Sequence, residues 1–412
     1  MSKFHPYILA RAAQLATLRR DLHAHPELCF AEHRSADVVA DCLQQWGIEV
    51  HRGLGRTGVV GVLHGRDGGA CGRAVGLRAD LDALPMTELN TFAHTSVYPG
   101  KMHACGHDGH TAMLLAAAQC LAAEPDFEGT VVFIFQPAEE GGGGAREMIA
   151  DGLFERFPVQ AVFGLHNWPG LPVGTLALSP GPVMASSNEF KITVHGKGCH
   201  AAMPHLGTDP VLLACQLVQG FQSIVARNLK PVQAGVISVT MIHAGEATNV
   251  IPDHCVLQGT VRTFSLEVLD LIERRMRELC SHTAAAFGAR TDFEFHRNYP
   301  PTVNSPDEVA FARSVMQNLV GAEQVLDQEP TMGAEDFAYM LQAKPGAYAF
   351  IGNGDGAHRG QHDAAGSLAG SHDVGPCTLH NPRYDFNDAL IPLGGSYWVE
   401  LAKRWLARSA SR

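Results

Sequence analysis

The 412-residue chain has no CxxC pair among its 10 cysteines, no block of Lys and Arg, and nothing near the roughly 20 apolar residues that a membrane span needs. Each absence excludes something. Cysteines scattered without paired spacing argue against a disulfide framework and for reduced thiols. The N-terminal stretch "MSKFHPYILARAAQLATLRRDLHAHPEL" carries Arg and Asp where a signal peptide needs an unbroken apolar core, so a cytoplasmic protein without membrane contact is expected. With 31 basic against 42 acidic residues the formal net charge is −11, and a phosphate backbone is repelled by most of such a surface. Nucleic acid is not an expected partner. No internal repeat at solenoid periods is present.

What is there suits a globular enzyme or binding protein: 46% hydrophobic and 18% charged residues, in a chain longer than one core usually supports. Up to about residue 180, helical patterns alternate with short apolar runs. "ADVVADCLQQWG" reads as a helix ended by Gly47, and "GVVGVLHG", "AVGLRADLDA", "GTVVFIFQP" and "QAVFGLHN" read as buried strands. Strands separated by helices imply a mainly parallel sheet with helices on its faces, an α/β fold. Between about 186 and 299 the order becomes βαββαβ, the ferredoxin-like order, and afterwards the α/β pattern resumes. The expectation is a discontinuous catalytic domain, 1–185 and 300–412, carrying an inserted lid domain, 186–299, with hinges near 184–188 and 298–302.

Histidine is in excess, with 22 copies. Some lie in a Gly/Ala/His tract at 354–377, whose composition reads as a solvated loop. Others do not. "MHACGHDGHT" (102–111) crowds Cys105, His103, His107 and His110 around two glycines where an apolar helix begins. A structural turn needs the glycines but has no use for the donors, so the stretch asks for a metal or a nucleophile. Helix N-terminal amides favour anions, which predicts a lowered thiol pKa at Cys105.

The other suspicious groups also fall where strands stop. Asp80 and Asp82 close "GLRADLDA". Glu139 and Glu140 follow "VVFIFQPA" and precede four glycines, read as allowing close backbone approach to something bound. His166 ends "AVFGLH", and His380 opens the final segment. Ligands of open α/β sheets gather beyond the carboxyl ends of the strands. Taken singly, a strand-end histidine is more often structural and adjacent glutamates are usually solvated. Taken together, Cys105, His107, Glu140, His166 and His380 form a sulfur, nitrogen and oxygen set suited to zinc or a similar transition metal, as one ion or as two with a shared ligand. Successive residues of an extended segment face opposite ways, so one glutamate can bind metal while the other takes a proton from a water whose pKa the metal brings to about 7. A thiol hydrolase using Cys105 as nucleophile and His107 as base competes, but leaves Glu139, Glu140, His166 and His380 without purpose.

The motifs "MHACGHDGHT", "QPAEEGGGGA", "GLHNWP", "GKGCHAAMPH", "ATNVIPD" and "LHNPRYDFND", in order along almost the whole chain, resemble the M20 metallopeptidase family in its amidohydrolase branch, which contains hippurate hydrolases, N-acyl-amino-acid amidohydrolases and auxin-conjugate hydrolases. The resemblance implies an aminopeptidase-like α/β domain, a ferredoxin-like lid that makes a homodimer or homotetramer, and hydrolysis of the amide of an N-acyl amino acid. It implies Cys105, His107, Glu140, His166 and His380 as ligands of one or two divalent ions (Zn, Mn, Co or Ni), Glu139 as the base, and Asp82 as the residue orienting the site. It further implies His200 as a lid histidine that steadies the oxyanion, and Asn249 and Arg262 as substrate contacts, the arginine pairing with a carboxylate. Wider relatives carry His-x-Asp where this chain reads "ADLD", which leaves Asp80 outside the expected ligand set. Alternatives on the same scaffold are a dipeptidase or a deacetylase of an N-acetylated intermediate. A non-catalytic metal-binding protein is the alternative from another class.

Overall fold

The Val, Ile and Phe run at 131–135 has no polar face to offer water, and the strand over 130–136 is buried along its whole length; the strand over 74–80 is buried as fully, with Arg78 and Asp80 paired inside it at 2.8 Å. Burying each large aliphatic or aromatic side chain there is worth about 1.5–3 kcal/mol. The computed structural model describes residues 4–361 and 378–408. By internal contacts these divide into two units, one made of the chain up to Gly181, Val303–Glu329 and the chain from Tyr339 onward, the other of Pro182–Thr302 with Pro330–Ala338.

The first unit is built on an eight-stranded sheet. Its strands are Glu49–Leu54 (β1), Gly58–His64 (β2), Ala74–Asp80 (β3), Thr130–Gln136 (β4), Ala161–Pro169 (β5), Leu176–Ala177 (β6), Val325–Leu326 (β7) and Gly346–Gly354 (β8), in the spatial order β1-β2-β4-β3-β5-β8-β6-β7. The central block β4-β3-β5-β8 is parallel. The β1–β2 hairpin joins it antiparallel, through β2 on β4. β1 is not legible in the sequence because most of its residues are exposed or half-buried and leave no apolar run.

Helices flank this sheet: Ala12–Ala24 (α1), His33–Gln45 (α2), His107–Ala123 (α3), Pro306–Val320 (α4) and Ile391–Leu406 (α5). Most of α3 is buried, as its Ala- and Leu-rich sequence, apolar on every face, requires. It packs on β3 and against α1 and α5. None of the described helices is long and apolar enough to cross a membrane.

The second unit has four antiparallel strands, Ser187–His195, Gly235–Ala244, His254–Thr263 and Arg290–Tyr299, lying in the order second, third, first, fourth. That order, with helices Pro210–Arg227 and Leu266–Ala286 between them, is ferredoxin-like. Phe190, Ile192 and Val194 alternate with more exposed neighbours and bury one sheet face in a core shared with both helices. The helix starts are set locally. Asp209 accepts the N–H groups of Val211 and Leu212 ahead of Pro210, and Ser265 accepts that of Val268. Residues 330–338 cluster with this unit because the Ala185 N–H bonds the carbonyls of Thr331 and Gly333 while the Thr331 N–H bonds that of Val183.

Candidate metal centre

The carboxyl ends of β3, β4 and β5 lie side by side, so Asp80, the turn after Gln136 and His166 meet the start of α3 in one place. The two glycines of "CGHDGH" serve this meeting. Gly106 precedes α3 with φ +95°, and a Cβ there would lie 2.2 Å from Asn167 Oδ1. At Gly109 a Cβ would lie 2.2 Å from the Phe386 ring. One glycine makes the turn and the other lets the helix close on the C-terminal segment. Part of the run after Glu140 is also explained by the protein itself. A Cβ at Gly144 would strike the Pro137 carbonyl oxygen at 1.7 Å and one at Gly142 would meet Ala138 at 2.7 Å, so these two glycines admit the chain's own backbone, while a Cβ at Gly141 would meet nothing within 4 Å.

Two imidazoles are fixed in the same way. The Nδ1–H of His107 donates to the Asp82 carbonyl at 2.9 Å, with Asp82 Oδ1 at 3.3 Å. The Nδ1–H of His166 donates to the Asn167 carbonyl at 2.6 Å. A carbonyl only accepts, so each ring keeps its proton on Nδ1 and presents Nε2 elsewhere. His107 Nε2 is buried without a hydrogen bond, and His166 Nε2 lies 3.4 Å from Cys105 Sγ. Asp82 also accepts the Glu140 backbone N–H at 2.9 Å, so one carboxylate holds both His107 and the segment bearing Glu140. Cys29, unnoticed in the sequence, has its Sγ 3.3 Å from Asp82 Oδ2 and 3.0 Å from the Glu140 carbonyl.

The donor atoms of Cys105, His107 and His166 all lie within 4.8 Å of one another, as do those of Cys105, Glu140 and His380, and those of His107, Glu139 and Glu140. The structure therefore gathers all five expected ligands and the expected base. Glu139 is buried, with Oε2 4.0 Å from His107 Nε2. His380 is half-exposed, 3.1 Å from Glu140 Oε1, and held by its N–H to the Ala104 carbonyl at 2.8 Å. Asp80 and His110 have other work. Asp80 takes Arg78 at 2.8 Å and His110 Nδ1 at 2.6 Å, while His110 Nε2 lies 2.6 Å from Asn167 Oδ1, and the Asn167 amide donates to the Tyr384 hydroxyl at 2.6 Å. This chain of buried bonds locks Asn167, the residue that orients His166. No single-residue sequence pattern announces Asn167 or Tyr384, although their neighbours His166 and His380 drew attention. His103 is buried with neither ring nitrogen hydrogen-bonded and belongs to none of the donor groups.

The expectation of a lowered thiol pKa at Cys105 is overturned for the metal-free protein. Burial first, then the charges of Glu140, Glu139 and Asp80, push this thiol well above its ordinary value and outweigh the helix end. Burial works against the charged form of His107 too, but Asp80, Asp82 and Glu140 together lift it to about 10. In the metal-free protein at pH 7.5 the Cys105 thiol is therefore protonated and His107 carries a second proton, on Nε2, beside the one on Nδ1. Loading a divalent ion at that pH is accordingly expected to release two protons, one each from Cys105 and His107. Calorimetry in buffers of different ionisation enthalpy measures this number, and release of none contradicts the assignment.

The remaining predicted residues lie on the second unit. His200 pairs with Val250 across two short strands and is exposed, its Nδ1 accepting the Ala202 N–H at 3.0 Å. Asn249 is exposed, and its carbonyl accepts the Ala201 N–H at 2.9 Å. Arg262 is half-buried, bonded to the Thr260 hydroxyl and to the Val261 carbonyl at 3.2 Å. Of the Gly/Ala/His tract, residues 362–377 fall outside the described residues.

An α/β sheet with sulfur, imidazole and carboxylate donors gathered beyond its central strand ends has the build of a metal-dependent hydrolase. Residues 76–368 match the model of Peptidase family M20/M25/M40, and the chain belongs to that family. It is similar to an N-acetyl-L-cysteine deacetylase of Bacillus subtilis (strain 168), 41% identical over 394 residues that cover 95% of this chain and 88% of the relative. It is similar to a hippurate hydrolase of Campylobacter jejuni, 38% identical over 402 residues that cover 97% and 99% of the two chains. Among solved structures, a Bacillus subtilis protein described as a dinuclear metal-binding peptidase of the M20 family superposes with a TM-score of 0.82 at 32% identity, covering 97% of this chain and 99% of that one. The chain is thus a metal-dependent hydrolase acting on amide bonds, in the amidohydrolase branch of its family.

Proposed function

We propose that this enzyme cleaves N-acyl amino acids of the hippurate type into a carboxylic acid and a free amino acid. One observation carries the catalytic part of that reading. His107 and His166 each commit Nδ1 to a backbone carbonyl, His166 Nε2 lies 3.4 Å from Cys105 Sγ, and the donor atoms of these three residues fall within 4.8 Å of one another, with Glu140 and His380 grouped around the same sulfur. The similarity to a deacetylase of N-acetyl-L-cysteine and to a hippurate hydrolase supports the substrate class.

In this reading Cys105, His107, Glu140, His166 and His380 hold one or two divalent ions of the zinc, manganese, cobalt or nickel type. A buried imidazole nitrogen without a hydrogen bond, beside a thiol and two carboxylates, is a donor set that fits such an ion. Two donor groups that share Cys105 favour a pair, and the solved relative described as dinuclear supports it. When bound, the metal supplies Lewis acidity and lowers the pKa of a coordinated water. Glu139 accepts the proton of the attacking water and later delivers it to the departing amine. Asp82 keeps His107 and Glu140 in place. His200 steadies the oxyanion and Asn249 and Arg262 contact the substrate, roles supported by the motifs "GKGCHAAMPH" and "ATNVIPD". We further propose a cytoplasmic homodimer or homotetramer formed through the second unit, where Met241 and Ile242 lie exposed on an edge strand.

The deciding experiment is a hydrolysis screen with N-benzoyl, N-acetyl and long-chain N-acyl amino acids and with dipeptides, each with Zn, Mn, Co or Ni added. Release of the amino acid from N-acyl substrates, abolished by chelation and restored by metal, is expected. Turnover confined to dipeptides replaces this reading by the dipeptidase. Turnover confined to N-acetyl substrates favours the deacetylase, a reading for which the N-acetyl-L-cysteine relative speaks.

A further inference from the structure

Glu32 is buried and directly precedes α2, yet its side chain does not cap that helix. Its carboxylate gathers three other segments. Oε1 accepts the backbone N–H of Phe30 at 3.0 Å and that of Ala138 at 2.8 Å, while Oε2 accepts the Thr57 hydroxyl at 2.5 Å. Four described residues other than glycine have positive φ: Phe30 (60°), Arg56 (74°), Ala138 (53°) and His380 (65°). Two of them give their N–H to Glu32. A third, Arg56, adjoins Thr57 and lays its guanidinium over the Phe30 ring at 4.2 Å.

A residue with a Cβ avoids the left-handed region and stays there only where its surroundings over-determine it. Ala138 is the residue immediately before Glu139 and Glu140, and its turn is closed by the Gly144 N–H on the Ala138 carbonyl at 3.0 Å. Returning Ala138 to negative φ would swing the following peptide and displace Glu139, while the Glu140 N–H stays tied to Asp82 Oδ2 at 2.9 Å. We propose that Glu32 is a positioning residue for the reaction: by anchoring the Ala138 N–H it holds the left-handed turn that aims Glu139. The inference rests on the reading of Glu139 as the base.

The test compares Glu32→Gln, Glu32→Ala and the double variant Glu32→Ala/Ala138→Gly, using the N-acyl amino acid the wild type cleaves fastest. Glutamine keeps an oxygen for both N–H groups and can donate to Thr57, so Glu32→Gln is expected to retain kcat within about threefold. Glu32→Ala is expected to lose roughly 10²-fold in kcat with little change in KM and in bound metal, the scale of a misplacement of about 1 Å. Its amides at 138–140 should exchange hydrogen faster while those of β3 and α3 do not. Glycine occupies positive φ without steric cost, so the double variant should recover roughly tenfold of the lost kcat. Unchanged kcat in Glu32→Ala, equal losses in the Gln and Ala variants, unchanged exchange, or no recovery in the double variant overturns the proposal. If Glu32→Ala does not fold, Thr57→Val loosens the same carboxylate, and unchanged exchange at 138–140 in that variant is equally fatal. Glu139→Gln with wild-type activity would sink the reading of the base instead, whatever Glu32 does.

Discussion

Glu139→Gln is expected to keep its metal and to lose roughly 10²–10⁴ in kcat, the usual contribution of a positioned proton-transfer group. Glutamine matches glutamate in shape, and Glu139 is buried beside His107, so the substitution removes proton affinity with little change in packing. Metal content by atomic spectroscopy and kcat by amino acid release measure the two halves separately. A thiol hydrolase using Cys105 and His107 predicts a fully active variant, as does a protein that only stores metal and carries a contaminating activity. Loss of metal together with activity would place Glu139 among the ligands.

Cys105→Ser has the second large effect, because Cys105 belongs to both the group with His107 and His166 and the group with Glu140 and His380. Serine keeps the volume but offers a hydroxyl that a cation deprotonates far less readily than a thiol. Removing an outer partner of a metal ligand typically costs 10–100-fold in affinity, so loss of a shared ligand should cost more than about 10²-fold. Stability should follow. A ligand held at 100 times its Kd contributes about 2.7 kcal/mol to the folded state, and the variant should forfeit that in melting experiments with and without chelator. Wild-type protein should show the metal-dependent shift, and Cys105→Ser should show almost none. An equal shift in both would remove Cys105 from the site.

The donors were legible in the sequence because metal chemistry demands residue types that a turn does not. Cys105, His107, Glu140, His166 and His380 stand out at strand ends and a helix start, and the structure groups their donor atoms. Of the residues that hold them, Asp82 was expected from the resemblance and others were not legible. Asn167 fixes His166 through its backbone carbonyl, a group every residue has, and its own side chain is held by His110 and Tyr384. Glu32 sits at an ordinary helix start, where an acidic residue reads as a cap, yet its carboxylate turns to Ala138, 106 positions away. The thiol failed for a related reason. A helix end is visible in sequence, whereas three carboxylates from remote strands are not, and their charge together with burial reverses the shift.

By itself the sequence determined the local matters. Period-2 and continuous apolar runs dictate strands, Asp209 and Ser265 start helices, and the donor types name a metal, since each depends only on neighbouring residues. Only the tertiary structure decided which lone pairs face the cluster, why the glycines are needed, and whether Cys105 and His107 are protonated. Those outcomes depend on distances between strand ends, and an interior poor in water makes such distances count for more than any local preference.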